Sequence, residues 1–208
     1  MKKKYILISM FVLLSQYAHA QIPFEVMVGH RQTQYYAFIQ KNIDSSGQWN
    51  IFSQSFYSVH YTDVSLNAIN IEGQITYQIS DWFGISAGGG FDGNGFVPTI
   101  GLSVEYINEK QDFSATAFPT IQITKPLALD VFALINFSPQ FSHQWGLFSQ
   151  AILGANVGTQ YNSSLQWIRL GLNYERKFQF GLAADFIQIP QEQFFSDNFG
   201  FFLRYQIE

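Results

Sequence analysis

AINIEGQITYQI, residues 68–79, alternates from end to end. Ile69, Ile71, Ile75, Tyr77 and Ile79 share one face, and Asn70, Glu72, Gln74, Thr76 and Gln78 share the other. A period of two is the signature of a β-strand. A soluble sheet turns its apolar face toward a core. Here the same two-faced pattern recurs in segment after segment, and no helical stretch is left over to cover those faces. The apolar side is therefore expected to meet lipid. In a bilayer every backbone donor and acceptor must be paired, so such strands have to close into a barrel with a polar inside. The fold expected is an antiparallel transmembrane β-barrel.

Working outward, the stretch turns at Ser80-Asp81 and returns through FGISAGGGF (83–91) as a hairpin. Upstream lie 24–43, long for one strand and divisible at Gly29-His30, and 48–61 after a Ser45-Ser46-Gly47 turn. Downstream, a Gly-rich connection at 92–95 leads into 97–107, and the polar Asn108-Glu109-Lys110-Gln111 separates it from 113–124. Lys125-Pro126 then opens 127–137, with Leu127, Leu129, Val131, Ala133, Ile135 and Phe137 on one face. Segments 145–157, 165–174, 178–188 and 199–207 follow, with connections at 158–164, 175–177 and 190–197. Single-chain bacterial barrels have even strand numbers. Dividing 24–43 at Gly29 gives twelve, and demoting one weak segment would give ten; twelve is preferred. Tyr77, Trp82, Tyr174 and Tyr205 sit beside short turns or the C-terminus, where an interfacial aromatic girdle would lie. A soluble lipocalin-like barrel is the alternative, and it would place the Ile and Phe rows inside.

The chain opens with the three parts of an export signal: Lys2, Lys3 and Lys4, an apolar run from Tyr5 to Leu14, and Ala18-His19-Ala20 as an A-x-A cleavage site. The domain organisation expected is a signal peptide over 1–20 and a barrel over 21–208. The run is too short for a membrane-spanning helix. Losing the three lysines takes the formal net charge from −4 to −7, which argues against nucleic acid as a partner. With no cysteine there is no disulfide framework, thiolate metal site or lipidated cysteine. Charged residues make up 12% and aromatics 18% of the chain, with 22 Phe, more than a soluble domain of this size hides easily. Lipid contact removes that difficulty, and outer-membrane lipid is the first partner expected.

PFEVMVGH (23–30), QWIRLGLNYERKFQFGLAADF (166–186) and NFGFFLRYQI (198–207) resemble small outer-membrane β-barrel proteins common in Bacteroidota, a group with no established function. The resemblance covers both ends of the chain and, between them, the strand rhythm. The Gly-His after the first strand and the Arg-Leu-Gly-Leu tract are its specific parts. It implies a cell-envelope location and hands over no catalytic residues.

By alternation Glu72, Glu105, Asp130, Arg169, Asp185 and Arg204 face inward, and Glu25 is a further candidate. An Arg or Lys facing lipid near the midplane would cost about 2–4 kcal/mol, so inward placement is forced energetically. These charges would either form a lumenal ion-pair network that rigidifies the barrel, or line a binding site or path. An acid excess in such a site favours cationic or hydroxyl-rich ligands. Phe202, Phe132 and Leu134 share the inward face, which points to a constricted cavity with a partly apolar wall. Enzymatic readings are weak: the mature chain has only His30, His60 and His143, and serines such as Ser58, Ser142 and Ser163 belong to no catalytic motif. No metal-spaced cluster or cofactor motif occurs. Gly88-Gly89-Gly90 follows a strand but opens no helix, and reads as a strand kink. The expected function is a barrel that binds or passes a small solute or amphipathic molecule. A closed structural barrel and an outer-membrane lipid-modifying or hydrolytic enzyme are the alternatives.

On fractionation, the mature protein is expected in the outer membrane, resistant to carbonate extraction and heat-modifiable on gels, with an N-terminus at Gln21 by mass spectrometry. Recovery of folded protein in a detergent-free soluble fraction would contradict the lipid-facing assignment.

Overall fold

The computed structural model describes residues 22–92, 95–159, 161–190 and 193–207, so the expected signal over 1–20 lies outside the described residues. Twelve strands run in chain order: β1 Ile22–Gly29, β2 Gln32–Asn42, β3 Trp49–His60, β4 Ala68–Ser80, β5 Phe83–Asp92, β6 Gly95–Ile107, β7 Phe113–Gln122, β8 Ala128–Phe137, β9 Trp145–Val157, β10 Tyr161–Tyr174, β11 Phe178–Ile189 and β12 Phe194–Ile207. Each is antiparallel to the next, and β12 returns to β1 to close the barrel. The seam pairs Ile22 with Ile207, Glu25 with Arg204 and Gly29 with Gly200. Both termini therefore lie at one end, here called the terminal end, and the barrel has no free sheet edge.

The long first segment does divide at Gly29, and the reason is a contact from the other end of the chain. Asn198, buried on β12, accepts from the backbone N–H groups of Arg31 (3.1 Å) and Gln32 (3.4 Å) and donates to the Gln32 carbonyl (3.2 Å). Those bonds hold the chain where the two-residue connection enters β2. A Cβ on Gly29 would stand 2.1 Å from the Asn198 amide oxygen, so glycine is needed there for space. Two connections are shorter than the sequence indicates. Residues 194–197 belong to β12, where Phe194 to Asp197 pair with Ile189 to Phe186, although Ser196 and Asp197 read as loop. Likewise β10 begins at Tyr161, with a register shift before Ser163.

Alternation sorts the two faces. The outward rows, among them Ile69, Ile71, Ile75, Leu102, Leu129, Leu170, Phe201 and Leu203, are exposed and apolar. An apolar coat around the whole barrel is far larger than the patches soluble monomers expose. Such a coat is what a strand wall facing hydrocarbon requires. At the terminal end the coat finishes in aromatic pairs: Trp49 on Tyr77 at 5.1 Å, Trp145 on Tyr174 at 4.8 Å and Phe178 on Tyr205 at 4.9 Å between ring centroids. Trp82 packs on Phe83 at the same level. Rings with polar edges settle at the membrane–water interface, and this band fits that level.

Inward glycines allow the wall to fold closely on itself. Gly171 faces Gly181 across the β10–β11 ladder, and a Cβ on Gly181 would lie 2.2 Å from the Leu170 carbonyl oxygen. Gly73 points outward, and its added Cβ would meet nothing nearer than 3.9 Å. Gly181→Val is expected to lose about 3 kcal/mol or more of folding stability in lipid vesicles, the upper end of an overpacking penalty, because the obstacle is backbone. Gly73→Ala is expected to fold as the parent. Urea titrations of the two variants, read by the heat-modifiable band, check the contrast.

Candidate functional site in the lumen

Along the barrel axis the lumen has three levels: a charged and aromatic middle, a cavity toward the end opposite the termini, and a polar vestibule at the terminal end. The middle is built across the seam. Glu25 on β1 accepts from Arg169 on β10 (Nε to Oε1, 2.7 Å) and from Arg204 on β12 (Nη2 to Oε2, 2.5 Å). Arg169 reaches Asp185 on β11 through Nη1 at 2.5 Å, and Arg204 also donates to the Gln150 amide oxygen on β9 at 2.5 Å. The Arg204 guanidinium lies 4.9 Å from the centre of the Phe148 ring. Glu25, Arg169, Asp185 and Arg204 are each 2% exposed. Two acids and two bases thus neutralise one another where water is scarce. Against apolar side chains of equal size such a network adds little net stability, but removal of one member strands a buried charge.

Beside the network an apolar cluster crosses the lumen: Tyr36, Phe52, Phe118, Phe132, Leu134, Ile152 and Trp167. Its rings touch in sequence. Phe52 meets Phe118 at 4.9 Å and Phe132 at 5.5 Å, Trp167 meets Phe56 at 4.8 Å, and Tyr36 packs edge-on to Trp167 at 5.6 Å. The Tyr36 hydroxyl donates to the Gln54 amide oxygen at 3.0 Å. Met27, Phe148, Ala183 and Phe202 form a second cluster on the seam side. Together with the ion pairs they fill the midsection.

Above this floor, toward the end opposite the termini, lies a cavity of about 270 Å3. Phe56, Phe132, Ile152 and Trp167 form its base and apolar wall, and Glu72 and Asp130 stand on its polar side. A smaller space of about 60 Å3 adjoins it, sharing Asn70, Glu72 and Asp130. Glu72 accepts from Gln54 (2.8 Å) and Asn70 (3.3 Å); Asp130 accepts from Asn156 (3.0 Å) and Gln122 (3.3 Å). Every one of these partners is a neutral amide. No lysine or arginine occurs among the described residues lining either space. The vestibule at the terminal end, about 430 Å3, has the opposite character: Lys110, Arg176 and Arg204 line it together with Asp112.

The six charges selected from the sequence thus fall into separate places. Arg169, Asp185 and Arg204 meet in the network, whose centre is Glu25. Glu72 and Asp130 share the acidic cavity. Glu105 stands apart near the terminal end, accepting from Gln40 at 2.9 Å. The sequence alone does not single out Gln54, Trp167, Phe52 or Phe118, because alternation gives the side of the wall and not the height along the axis. Gly88-Gly89-Gly90 has a use beyond curvature. Gly88 and Gly90 face inward on β5, and added Cβ atoms would stand 2.8 Å from the Gln74 amide oxygen and 3.1 Å from Glu72 Cγ. The missing side chains make the room into which Gln74 and Glu72 extend. His30 and His60 lie at the end opposite the termini and His143 in the β8–β9 connection at the terminal end, so the three do not converge.

No family model matches the chain, and no curated protein matches it in sequence. Solved structures do resemble it. The NanC porin superposes with a TM-score of 0.57 over 91% of this chain and 100% of its own, at 8% identity. The KdgM porin in complex with disordered oligogalacturonate gives 0.51 over 90% and 99%, at 11% identity. At such identities the likeness establishes the fold, a twelve-stranded outer-membrane porin-like β-barrel, and nothing of cargo.

Glu25→Ala is expected to cost about 3–5 kcal/mol of stability by leaving two guanidinium groups with one carboxylate between them. The double variant Glu25→Leu with Arg204→Met is expected to recover most of that loss. Equilibrium unfolding in vesicles measures both.

Proposed function

We propose that this chain is exported by the signal over 1–20 and resides in the outer membrane. There it works as a ligand-binding barrel that holds a small solute or amphipathic molecule in the cavity above the filled midsection. Its membership of the Bacteroidota group that its ends resemble belongs to the same proposal. The observation that carries the reading is the conjunction of an aromatic-floored cavity, open on one side, with a packed ring cluster and ion-pair network beneath it. Ligand sites are concave, mostly apolar and furnished with a few placed polar groups, and this cavity has that composition. An open water path would need Tyr36, Phe52, Phe118, Phe132 and Trp167 to part, so retention dominates over passage.

The comparison with porins supports an envelope barrel but does not carry the cargo across. Oligogalacturonate, which the KdgM structure contains, is a chain of carboxylate sugars. Glu72 and Asp130 would repel such a polyanion, and among the described residues no cation in the cavity lining offsets them. A second reading, a purely structural barrel, is favoured by the filled midsection alone. It leaves unexplained why glycines on β5 open space around Glu72.

In planar bilayers the refolded protein is expected to show little or no steady conductance. Phe52→Ala with Phe132→Ala, which removes the centre of the ring cluster, is expected to raise it severalfold. Native mass spectrometry of barrel extracted gently from its own membrane is expected to show a bound small molecule. A large, unselective conductance from the parent protein would overturn the reading.

A further inference from the structure

We infer that the cavity opposite the termini selects small organic cations, namely an ammonium group carried on a compact apolar or aromatic body. This rests on the ligand-binding reading above and specifies the ligand class. Two carboxylates, Glu72 from β4 and Asp130 from β8, reach the same space from different strands, and their side-chain hydrogen bonds among the described residues come from the neutral amides of Gln54, Asn70, Gln122 and Asn156. In the middle of the lumen, by contrast, acids are answered by bases, as Glu25 is by Arg169 and Arg204. Here the compensating charge is missing from the wall, and a ligand can bring it.

A second, independent feature comes from β10, two strands beyond Asp130. Trp167 is 5% exposed and lines the cavity, and its indole N–H has no hydrogen-bond partner among the described residues. A buried donor without an acceptor is costly and calls for a partner. Meeting one in the cavity requires the Trp167 ring to turn, because the N–H has almost no accessible surface in this packing. The faces of Trp167 and Phe56 also offer a cation a favourable surface. The size agrees: about 270 Å3 falls just below the usual range for drug-sized ligands, so a single-ring amine fits and an oligosaccharide does not. Hydroxyl-rich neutral solutes would satisfy the amides but leave both carboxylates uncompensated.

The test uses the full mature chain with Trp49, Trp82 and Trp145 changed to Phe, so that Trp167 is the sole indole and reports from the cavity wall. Phenethylammonium, 2-phenylethanol and phenylacetate are titrated in turn; they share a ring and differ in charge. Phenethylammonium is expected to shift the Trp167 emission at least tenfold more tightly than the alcohol, with phenylacetate weakest. Glu72→Gln and Asp130→Asn are each expected to reduce that preference for phenethylammonium over 2-phenylethanol tenfold or more. The charge series needs neither carboxylate substitution, so it stands if either of those two variants fails to fold. Equal or tighter binding of the alcohol or the acid would overturn the cation inference and leave the ligand-binding reading intact. Silence of Trp167 to all three probes would also overturn it. The ligand-binding reading itself falls by a separate measurement, a large parent conductance.

Discussion

In hydrocarbon, a sheet has no water to satisfy an unpaired strand edge, and in this chain that requirement falls on eight residues, Ile22 to Gly29, which must find Ile207 to Gly200. Until that ladder forms, the other strands make an open sheet with two raw edges. The chain reinforces the junction from both sides. Glu25 and Arg204 are cross-strand neighbours in the ladder and also the buried ion pair at the middle of the lumen. Asn198, near the other end of the same ladder, fastens the β1–β2 connection. Closure of the wall and filling of the interior are accomplished by overlapping sets of residues.

That overlap explains why the midsection is solid. A twelve-stranded wall encloses more space than an eight-stranded one, whose side chains just fill it. The surplus volume here is occupied from several strands by large rings, while β4 to β6 contribute Thr76, Ser86, Gly88, Thr99 and Ser103, which are small. The filling is therefore lopsided. Large side chains from β2, β3, β7, β8 and β10 span the middle, and the smaller space of about 60 Å3 beside the cavity remains where β5 and β6 carry little.

Much of this was legible in the residues. Strand existence, the faces of each strand and the division at Gly29 follow from alternation and parity, since a period of two leaves two faces and closure requires an even count. The inward placement of Phe132, Leu134 and Phe202 follows in the same way. Height along the axis does not. Strands in a barrel tilt and stagger, so the inward residues that meet are fixed by register, which no local pattern encodes. Glu25 could thus be assigned a side but not its two arginines, and Glu72 could be named without Asp130 as its companion across the cavity. The triple glycine reads locally as a bend; its role in making room for Glu72 depends on which residue β4 places opposite Gly90.

The connections at the end opposite the termini are short, none exceeding the seven residues between His60 and Ala68. Proteins usually place recognition on loops, which can be lengthened, shortened and varied without disturbing the scaffold beneath them. A barrel with rims this low has no such freedom. The side chains that define its cavity, Phe56, Glu72, Asp130 and Trp167, are rungs of the same strands that hold the wall together, and Trp167 packs against the ring cluster that fills the middle. A lineage that altered the ligand would have to repack the lumen while doing so. Divergence in this architecture should therefore come in compensated groups of strand substitutions, with the rims changing little.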